Sequence, residues 1–368
     1  MKISIIGTRG YPYVYSGYET FVKEVAERMV QRGHEVTVYC HAGLFSEKPK
    51  EVNGIKLVYV RGFHTKSLEQ LSHSFLAFMH ACIGKTDVIL AANPANGPFG
   101  LICKLFGKKC AINMDGLEWK RPKWKGLGAR YFKFAAKQAT RFYDLIINDS
   151  EEMRQVYLKE FQTDSEVIAY GAHVKESQYP ELIQKWDLQP QGYYLIVGRM
   201  VPDNNADLLV KGFIASSSTK KLVIVGDVPY QDTFARSLKA MAEKDDRLVF
   251  TGYVTSSDEL AELYHQSFAY LHGHEFGGTN PTMLKAMAYG CAIMALDTVF
   301  NQEMLQNGKH GLFFSKDENA LRQLIHRAEA EPLTISHLKA TARQGITKKY
   351  TWDFVTDRYL EVLKSLSK

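Results

Sequence analysis

Residues 272–290, HGHEFGGTNPTMLKAMAYG, set two histidines and a glutamate ahead of a Gly-Gly-Thr-Asn-Pro turn that opens a helical pattern. A helix N-terminus exposes backbone N–H groups without intrahelical partners and carries the positive end of the helix dipole, so it draws anions. Gly277 and Gly278 remove side chains where a ligand would approach the backbone. Thr279 and Asn280 supply donors or cap the helix, and Pro281 suits its first turn. A capped helix with no ligand accounts for the same residues. His272 and His274 share one face of a strand, with Glu275 on the other face unless the strand has ended. His272 fits either contact with a ligand or a core histidine satisfied by backbone groups. His-x-His alone is a weak metal signature, and no metal site is expected.

The stretch GRMVPDNN (198–205) also follows an apolar run. An arginine fixed at a strand end forks onto phosphate oxygens through two parallel hydrogen bonds, which makes Arg199 a candidate diphosphate ligand. GTRGYPYVYSGYET (7–20) is a third glycine loop. It matches neither G-x-G-x-x-G nor G-x-x-x-x-G-K-[ST], so neither a dinucleotide fingerprint nor a P-loop is expected. No Asp-x-Asp stands at a strand end, so a diphosphate here would be held by Arg199 and backbone dipoles rather than by a divalent ion.

The elements that must position these loops alternate between strand and helix. Strand-like runs are 2–7, 35–40, 56–60, 87–92, 109–114, 144–149 and 165–170, with helical patterns such as ETFVKEVAERMVQRG (19–33) between most of them. The rhythm restarts with 193–198, 221–226, 247–252, 267–273 and 291–296. Strands alternating with helices mean βαβ units and parallel sheets, here two in tandem with the boundary near 170–180. The expected class is α/β, two doubly wound Rossmann-like domains with parallel sheets facing a cleft. Ligands of such sheets bind at the carboxyl ends of strands, where all three glycine loops fall. The segment 350–366 is amphipathic, with Phe354, Tyr359, Leu360 and Leu363 on one face, and reads as a capping helix.

At 368 residues the chain is long enough for two domains. A hydrophobic content of 45% with 23% charged residues is that of a globular protein. Five scattered cysteines with no C-x-x-C pair speak for reduced, buried thiols and against a zinc site. No signal peptide and no membrane-spanning segment is expected. The net charge of +6 favours anionic partners. Residues 116–143 concentrate that charge, mixing Lys120, Arg121, Lys123, Lys125, Arg130, Lys133, Lys137 and Arg141 with Trp119, Trp124, Tyr131, Phe132 and Phe134. Basic residues among exposed aromatics suit an anionic membrane surface, and a solvated basic face over core aromatics is the other reading. No RNA-recognition motif accompanies them, and no nucleic-acid partner is expected.

On GTRGYPYVYSGYETFVKEVA, GRMVPDNN, HGHEFGGTNPTMLKAMAYG and the tail YTWDFVTDRYLEVL, the chain resembles the GT-B retaining glycosyltransferases of family 4, and more narrowly their bacterial rhamnosyltransferase-type branch. The resemblance implies an acceptor-binding Rossmann-like domain at 1–172, a nucleotide-sugar-binding domain at 173–349 and a closing helix at 350–368 that packs back toward the first. It implies a hexosyltransferase moving L-rhamnose from dTDP-L-rhamnose to a polyprenyl-diphosphate-linked sugar acceptor in surface polysaccharide or cell-wall synthesis. Such an enzyme works without a metal, peripherally on the cytoplasmic face of a bacterial plasma membrane. Catalytic roles fall on Asp115, Arg199 and Glu275. Gly17 would approach the sugar diphosphate, with Glu19 opening the helix behind it on the acceptor side. Arg199 with Gly278, Thr279 and Asn280 would hold the diphosphate. Gly252, Tyr253 and Val254 would lie along the base, and His272 and His274 along the sugar. Trp119, Lys120, Arg121, Lys123, Trp124 and Lys125 would face the acceptor and membrane.

Two departures from the family pattern carry chemistry. Asn204 and Asn205 occupy the turn where the family often has a lysine, and Lys285 stands where a second glutamate is expected to bind ribose hydroxyls. The same fold with a UDP- or GDP-sugar donor, a sugar-nucleotide epimerase, and a nucleotide-sugar-binding protein whose turnover Lys285 impairs are the alternatives.

Overall fold

Short runs of β-branched residues that are apolar at nearly every position belong to sheets covered on both faces. Such runs build two sheets here. The computed structural model describes residues 1–12, 17–63, 69–121, 124, 126–226 and 233–367. The chain divides into two units, Met1–Gly171 with Lys349–Lys368, and Ala172–Lys348.

The first unit holds strands β1 (Lys2–Ile6), β2 (Glu35–His41), β3 (Glu51–Val52), β4 (Ile55–Val60), β5 (Val88–Ala92), β6 (Lys109–Met114), β7 (Leu145–Asn148) and β8 (Glu166–Val167). They lie in the order β3-β4-β2-β1-β5-β6-β7-β8. All pairings are parallel except β3 with β4, a hairpin closed by Asn53-Gly54. Val88–Ala92 is buried at every position. The second unit holds β9 (Tyr193–Val197), β10 (Lys221–Val225), β11 (Leu248–Gly252), β12 (Ala269–His272), β13 (Ile293–Leu296) and β14 (Leu312–Phe314), in the all-parallel order β11-β10-β9-β12-β13-β14. The α/β class with two Rossmann-like parallel sheets is therefore the observed one.

Two strands escape the sequence pattern. β3 has two residues and β14 has three, too few for a period to show. The run 165–170 contributes only Glu166–Val167.

Strand order reverses once in each sheet, between β1 and β5 and between β9 and β12. A reversal opens a crevice at the carboxyl edge, because the crossovers on its two sides depart to opposite faces. The loop after β1 is the 7–20 glycine loop. The loops after β9 and β12 carry Arg199 and the 272–280 stretch. Chain order alone thus places the chemistry-bearing loops at the two switch points.

The helix Trp352–Leu366 belongs to the first unit. Its Tyr359 hydroxyl accepts from Asn113 Nδ2 at 2.6 Å, and its ring packs against Phe21 at a centroid distance of 5.0 Å. Arg32 bridges to Asp353 (3.0 Å) and Asp357 (2.7 Å). Val355 is fully buried on this helix, whereas Phe354, expected inward, is 40% exposed. All five cysteines are free and buried. No described helix is long and apolar enough to cross a membrane.

Candidate active site

β9 ends at Val197, and Gly198-Arg199 turns out of the sheet at the β9/β12 switch point. Gly226, after β10, has φ +128, and a Cβ there would lie 2.0 Å from the Gly198 carbonyl oxygen, so only glycine lets the two strand ends close together. Asn204 Nδ2 donates to the Arg199 carbonyl at 2.7 Å. That bond fixes the arginine's backbone. The guanidinium itself is exposed, with no ion pair or hydrogen bond among the described residues. Asn204 thus spends its amide nitrogen on the loop.

A narrow cleft at this switch point is lined by Gly198, Arg199, Asn204, Tyr270, His272 and His274 among others. His272 ends β12 and is 2% exposed. Its Nδ1 lies 3.4 Å from the Tyr270 hydroxyl, while Nε2 is buried without a partner among the described residues. The backbone-satisfied core histidine is therefore not what forms. Burial pushes the His272 imidazole down to about 3, so the ring stays neutral and presents Nε2 to whatever enters the cleft. The rings of His272 and His274 stack with centroids 5.4 Å apart. Asn301 Nδ2 braces the loop by donating to the carbonyls of Leu296 (2.8 Å) and His274 (3.1 Å).

Glu275 is partly buried, and its Oε2 accepts from Lys316 Nζ at 2.5 Å and from Asn205 Nδ2 at 3.3 Å. Asn205 also donates to the Gly273 carbonyl at 2.8 Å. One carboxylate oxygen is thus fixed by two donors, which orients the other. The strand has ended by this point, so Glu275 is not simply opposite the histidines.

Gly277 has φ +114, a conformation L side chains rarely adopt, and its turn leads into the helix Pro281–Ala288. Asn280 is the N-cap: its Oδ1 accepts from the amides of Thr282 (3.0 Å) and Met283 (3.3 Å). Its own N–H lies 3.2 Å from Met304 Sδ. Asn280 therefore caps the helix with its side chain while its own N–H faces Met304. Thr282 Oγ1 is 3.0 Å from the Tyr270 hydroxyl, which also lies 3.3 Å from the Val197 carbonyl. The helix is thereby tied to the end of β9. Lys285 follows one turn later, and Gly252 (φ +68) ends β11, with exposed Tyr253 and Val254 just after it.

In the first unit Asp115 follows β6. Both of its oxygens accept from tyrosines, Oδ1 from Tyr18 in a short bond and Oδ2 from Tyr170 at 2.8 Å. Burial raises the Asp115 carboxyl to about 6, against the two hydrogen bonds, which pull it down. A carboxyl with that value changes charge within the working range of a general base. Gly17 is the first residue of the helix Gly17–Gln31, and residues 13–16 before it lie outside the described residues. Glu19 is 3% exposed, and its Oε1 accepts from the Arg9 amide at 3.0 Å. It braces the loop after β1.

The basic segment differs most from expectation. Trp119 meets Tyr157 and Phe161 edge-on, and Trp124 packs on Phe132 while its Nε1 donates to Glu118 at 2.5 Å. Lys120 pairs with Glu160 (2.7 Å) and Arg121 with Glu118 (2.6 Å). These four side chains are engaged within the unit, and the exposed aromatics expected here are packed inward. Lys123 and Lys125 lie outside the described residues. The open face belongs to the helix Leu127–Phe142, where Leu127 is 81% and Phe134 52% exposed beside Arg130, Lys133, Lys137 and Arg141. Leu105, 75% exposed, and Lys104 sit on the neighbouring helix Gly100–Leu105.

Residues 191–330 match the family described as Glycosyl transferases group 1, and residues 93–173 match a domain of unknown function, DUF1972. Among solved structures, sucrose-phosphate synthase from Thermosynechococcus elongatus superposes with a TM-score of 0.85 at 16% identity, over 99% of this chain and 98% of that one. WaaG, a glycosyltransferase involved in lipopolysaccharide biosynthesis, gives 0.76 at 16% identity over 99% of each chain. The fold is GT-B, and the match to the group 1 glycosyl transferases falls within its second unit. Anabaena HepE, solved in complex with UDP-glucose, shares the GT-B fold at a TM-score of 0.80 and 15% identity over all of both chains. A curated relative, the uncharacterized 42.6 kDa protein in the cps region of Klebsiella pneumoniae, is 37% identical over 60 residues, 16% of each chain.

Tyr18 and Tyr170 join the candidate residues of the first unit, and Tyr270, Thr282 and Lys316 those of the second, although sequence reasoning passed them over. Tyr18 and Thr282 had a usable signal, since they stand in the 7–20 loop and the 272–290 stretch.

Proposed function

We propose that the chain is a retaining glycosyltransferase that moves L-rhamnose from dTDP-L-rhamnose to a polyprenyl-diphosphate-linked sugar. The observation that carries the reading is the unpaired Arg199 guanidinium at the β9/β12 switch point. It stands beside a buried, partnerless His272 Nε2 and the turn ahead of a helix N-terminus. Breaking the bond to the anomeric carbon leaves a diphosphate whose growing charge needs preorganised donors. Arg199 and the backbone of the Gly277–Thr279 turn supply them without calling on a metal. His272 Nε2 and the free oxygen of Glu275 contact the sugar. Asp115 orients the acceptor hydroxyl and takes its proton.

The group 1 domain over 191–330 and the GT-B fold support the reaction class, and the relative from a cps region supports a polysaccharide setting. A UDP-sugar donor is the second reading, favoured by the UDP-glucose complex of the HepE neighbour. Calorimetric titration with dTDP, UDP and GDP, without added metal, separates them. Selective dTDP binding is expected. A preference for UDP or GDP discards rhamnose and keeps the class, whereas no binding of any of the three points to a scaffold without turnover.

The lipid-linked acceptor brings the enzyme to the inner face of the plasma membrane. The open face of Leu127–Phe142, with its exposed Leu127 and Phe134 among four cations, is the surface proposed to meet anionic lipid. Replacing Lys133, Lys137 and Arg141 together by glutamine is expected to weaken partitioning onto anionic vesicles about a hundredfold, at about 1 kcal/mol per cation. Activity on a soluble acceptor should be retained. Unchanged sedimentation would remove this face from membrane binding, whereas loss on both acceptors would point to damage in the fold or the active site.

A further inference from the structure

Two buried polar atoms at the β9/β12 switch point have no hydrogen-bond partner among the described residues. They are His272 Nε2 and Asn204 Oδ1, on side chains that line the same narrow cleft. His272 is 2% and Asn204 8% exposed. A buried polar atom without its hydrogen bond is unfavourable, and two of them on one cleft mark a place that a ligand completes.

Both atoms are acceptors, and their neighbours decide it. The Asn204 amide nitrogen donates to the Arg199 carbonyl at 2.7 Å, and a carbonyl only accepts, so the amide oxygen is the end left over. For His272 a chain of hydrogen bonds places the proton. Asn280 Oδ1 accepts from the amides of Thr282 and Met283, and so it also accepts from Thr282 Oγ1, at 2.7 Å. With its proton spent there, Thr282 Oγ1 accepts from the Tyr270 hydroxyl at 3.0 Å. The tyrosine's other acceptor is the Val197 carbonyl, at 3.3 Å. The Tyr270 oxygen is thus left to accept from His272 Nδ1, at 3.4 Å. A neutral imidazole carries one N–H, so Nε2 keeps a bare lone pair. Burial holds the ring neutral, which excludes a second proton.

Lone pairs without a donor repel phosphate and carboxylate oxygens and attract O–H groups. A cation would need further ligands, and among the described residues no group of three or more His, Cys, Asp or Glu could hold one. The cleft's free volume, about 20 Å³, admits one water or one hydroxyl oxygen and neither a sugar ring nor a phosphate. Arg199 lines the same cleft with its guanidinium exposed, so positive charge stands on the open side and the lone pairs on the buried side. We propose that His272 and Asn204 form a socket for one hydroxyl of the donor sugar, its O–H donating to His272 Nε2, with the diphosphate kept outside on Arg199. Asn204 Oδ1 adds a second lone pair that rejects an oxygen without a proton. The socket rests on the nucleotide-sugar reading given above and states what that site selects. It favours a sugar with a free hydroxyl at the read position over one with a hydrogen, a carbonyl or a carboxylate there.

Calorimetry on the full chain tests it with dTDP, dTDP-L-rhamnose and the monodeoxy analogues of that sugar nucleotide. UDP, UDP-glucose and the monodeoxy UDP-glucoses form the parallel set. In whichever set binds, one analogue is expected to bind the wild type about tenfold more weakly than its parent, the loss of one hydrogen bond to a buried acceptor. His272→Phe removes that acceptor. It should weaken the parent sugar nucleotide about tenfold, leave the free nucleoside diphosphate unchanged and leave the one analogue at its wild-type affinity. His272→Gln keeps a carbonyl acceptor and should regain part of the loss. Thermal melting without ligand is the folding control, and the analogue series on the wild type needs no variant to fold. If no analogue falls below its parent, the socket is overturned. Equal weakening of free diphosphate and sugar nucleotide by a folded His272→Phe overturns it too. In both cases nucleotide binding by the wild type leaves the broader reading standing. No binding of either diphosphate to the wild type sinks that reading, and the socket with it.

Discussion

Substituting Arg199 by alanine is expected to lower kcat/KM by about 10²- to 10³-fold, the loss that follows removal of one preorganised donor to a developing anion. The guanidinium is exposed and makes no contact that the fold depends on, so the melting temperature should barely move. Arg199→Lys keeps the charge and loses the fork, and should recover only part of the rate. The split between parameters is informative. If the arginine binds ground and transition states equally, KM rises alone, whereas leaving-group stabilisation lowers kcat. Near-normal turnover in Arg199→Ala would remove it from the diphosphate site.

Asp115→Asn should cost about 10²- to 10⁴-fold in turnover, as expected for loss of a general base. The wild-type rate should climb with pH through about 6, because the ionised carboxylate is the active form and its carboxyl is raised to that value. The asparagine variant should lose that limb. Tyr170→Phe removes a hydrogen bond that holds the value down, so its limb should move to higher pH. Stability has the opposite sign. A carboxyl raised in the folded state favours folding while protonated, and that contribution disappears as pH rises through 6. Asp115→Asn is therefore expected to melt at or above the wild-type temperature at pH 8 while losing activity. A flat wild-type rate between pH 5 and 8 would rule Asp115 out as the base.

What the sequence made legible was whatever depends on neighbours along the chain. Val88–Ala92 is apolar throughout and could only be a covered strand. Arg199 and Gly277 stand directly after strands, where strand order turns loops into a crevice. The N-cap pattern Asn280-Pro281 also reads locally, although it leaves open whether the cap or a ligand uses the asparagine. The tyrosines on Asp115 were not legible, since they come from 97 residues before it and 55 after it. Lys316 reaches Glu275 across 41 residues for the same reason. The basic segment shows how composition misleads when phase is ignored. Phe132 shares its helical face with Ala135, Ala136 and Ala139 and is buried, whereas Phe134 falls among Lys133, Lys137 and Arg141 and is exposed. Trp119 and Trp124 precede that helix, so no period assigns them a side.

The place of the helix Trp352–Leu366 has a consequence for how the protein is made. Because residues 349–367 complete the first unit, the second unit is an insertion between two pieces of the first. A translating ribosome finishes residues 172–348 before Tyr359 exists to meet Asn113 and Phe21. The unit that begins first is thus the last to close. A chain truncated after residue 348 and released should carry a protease-resistant second unit beside a first unit still open to cleavage.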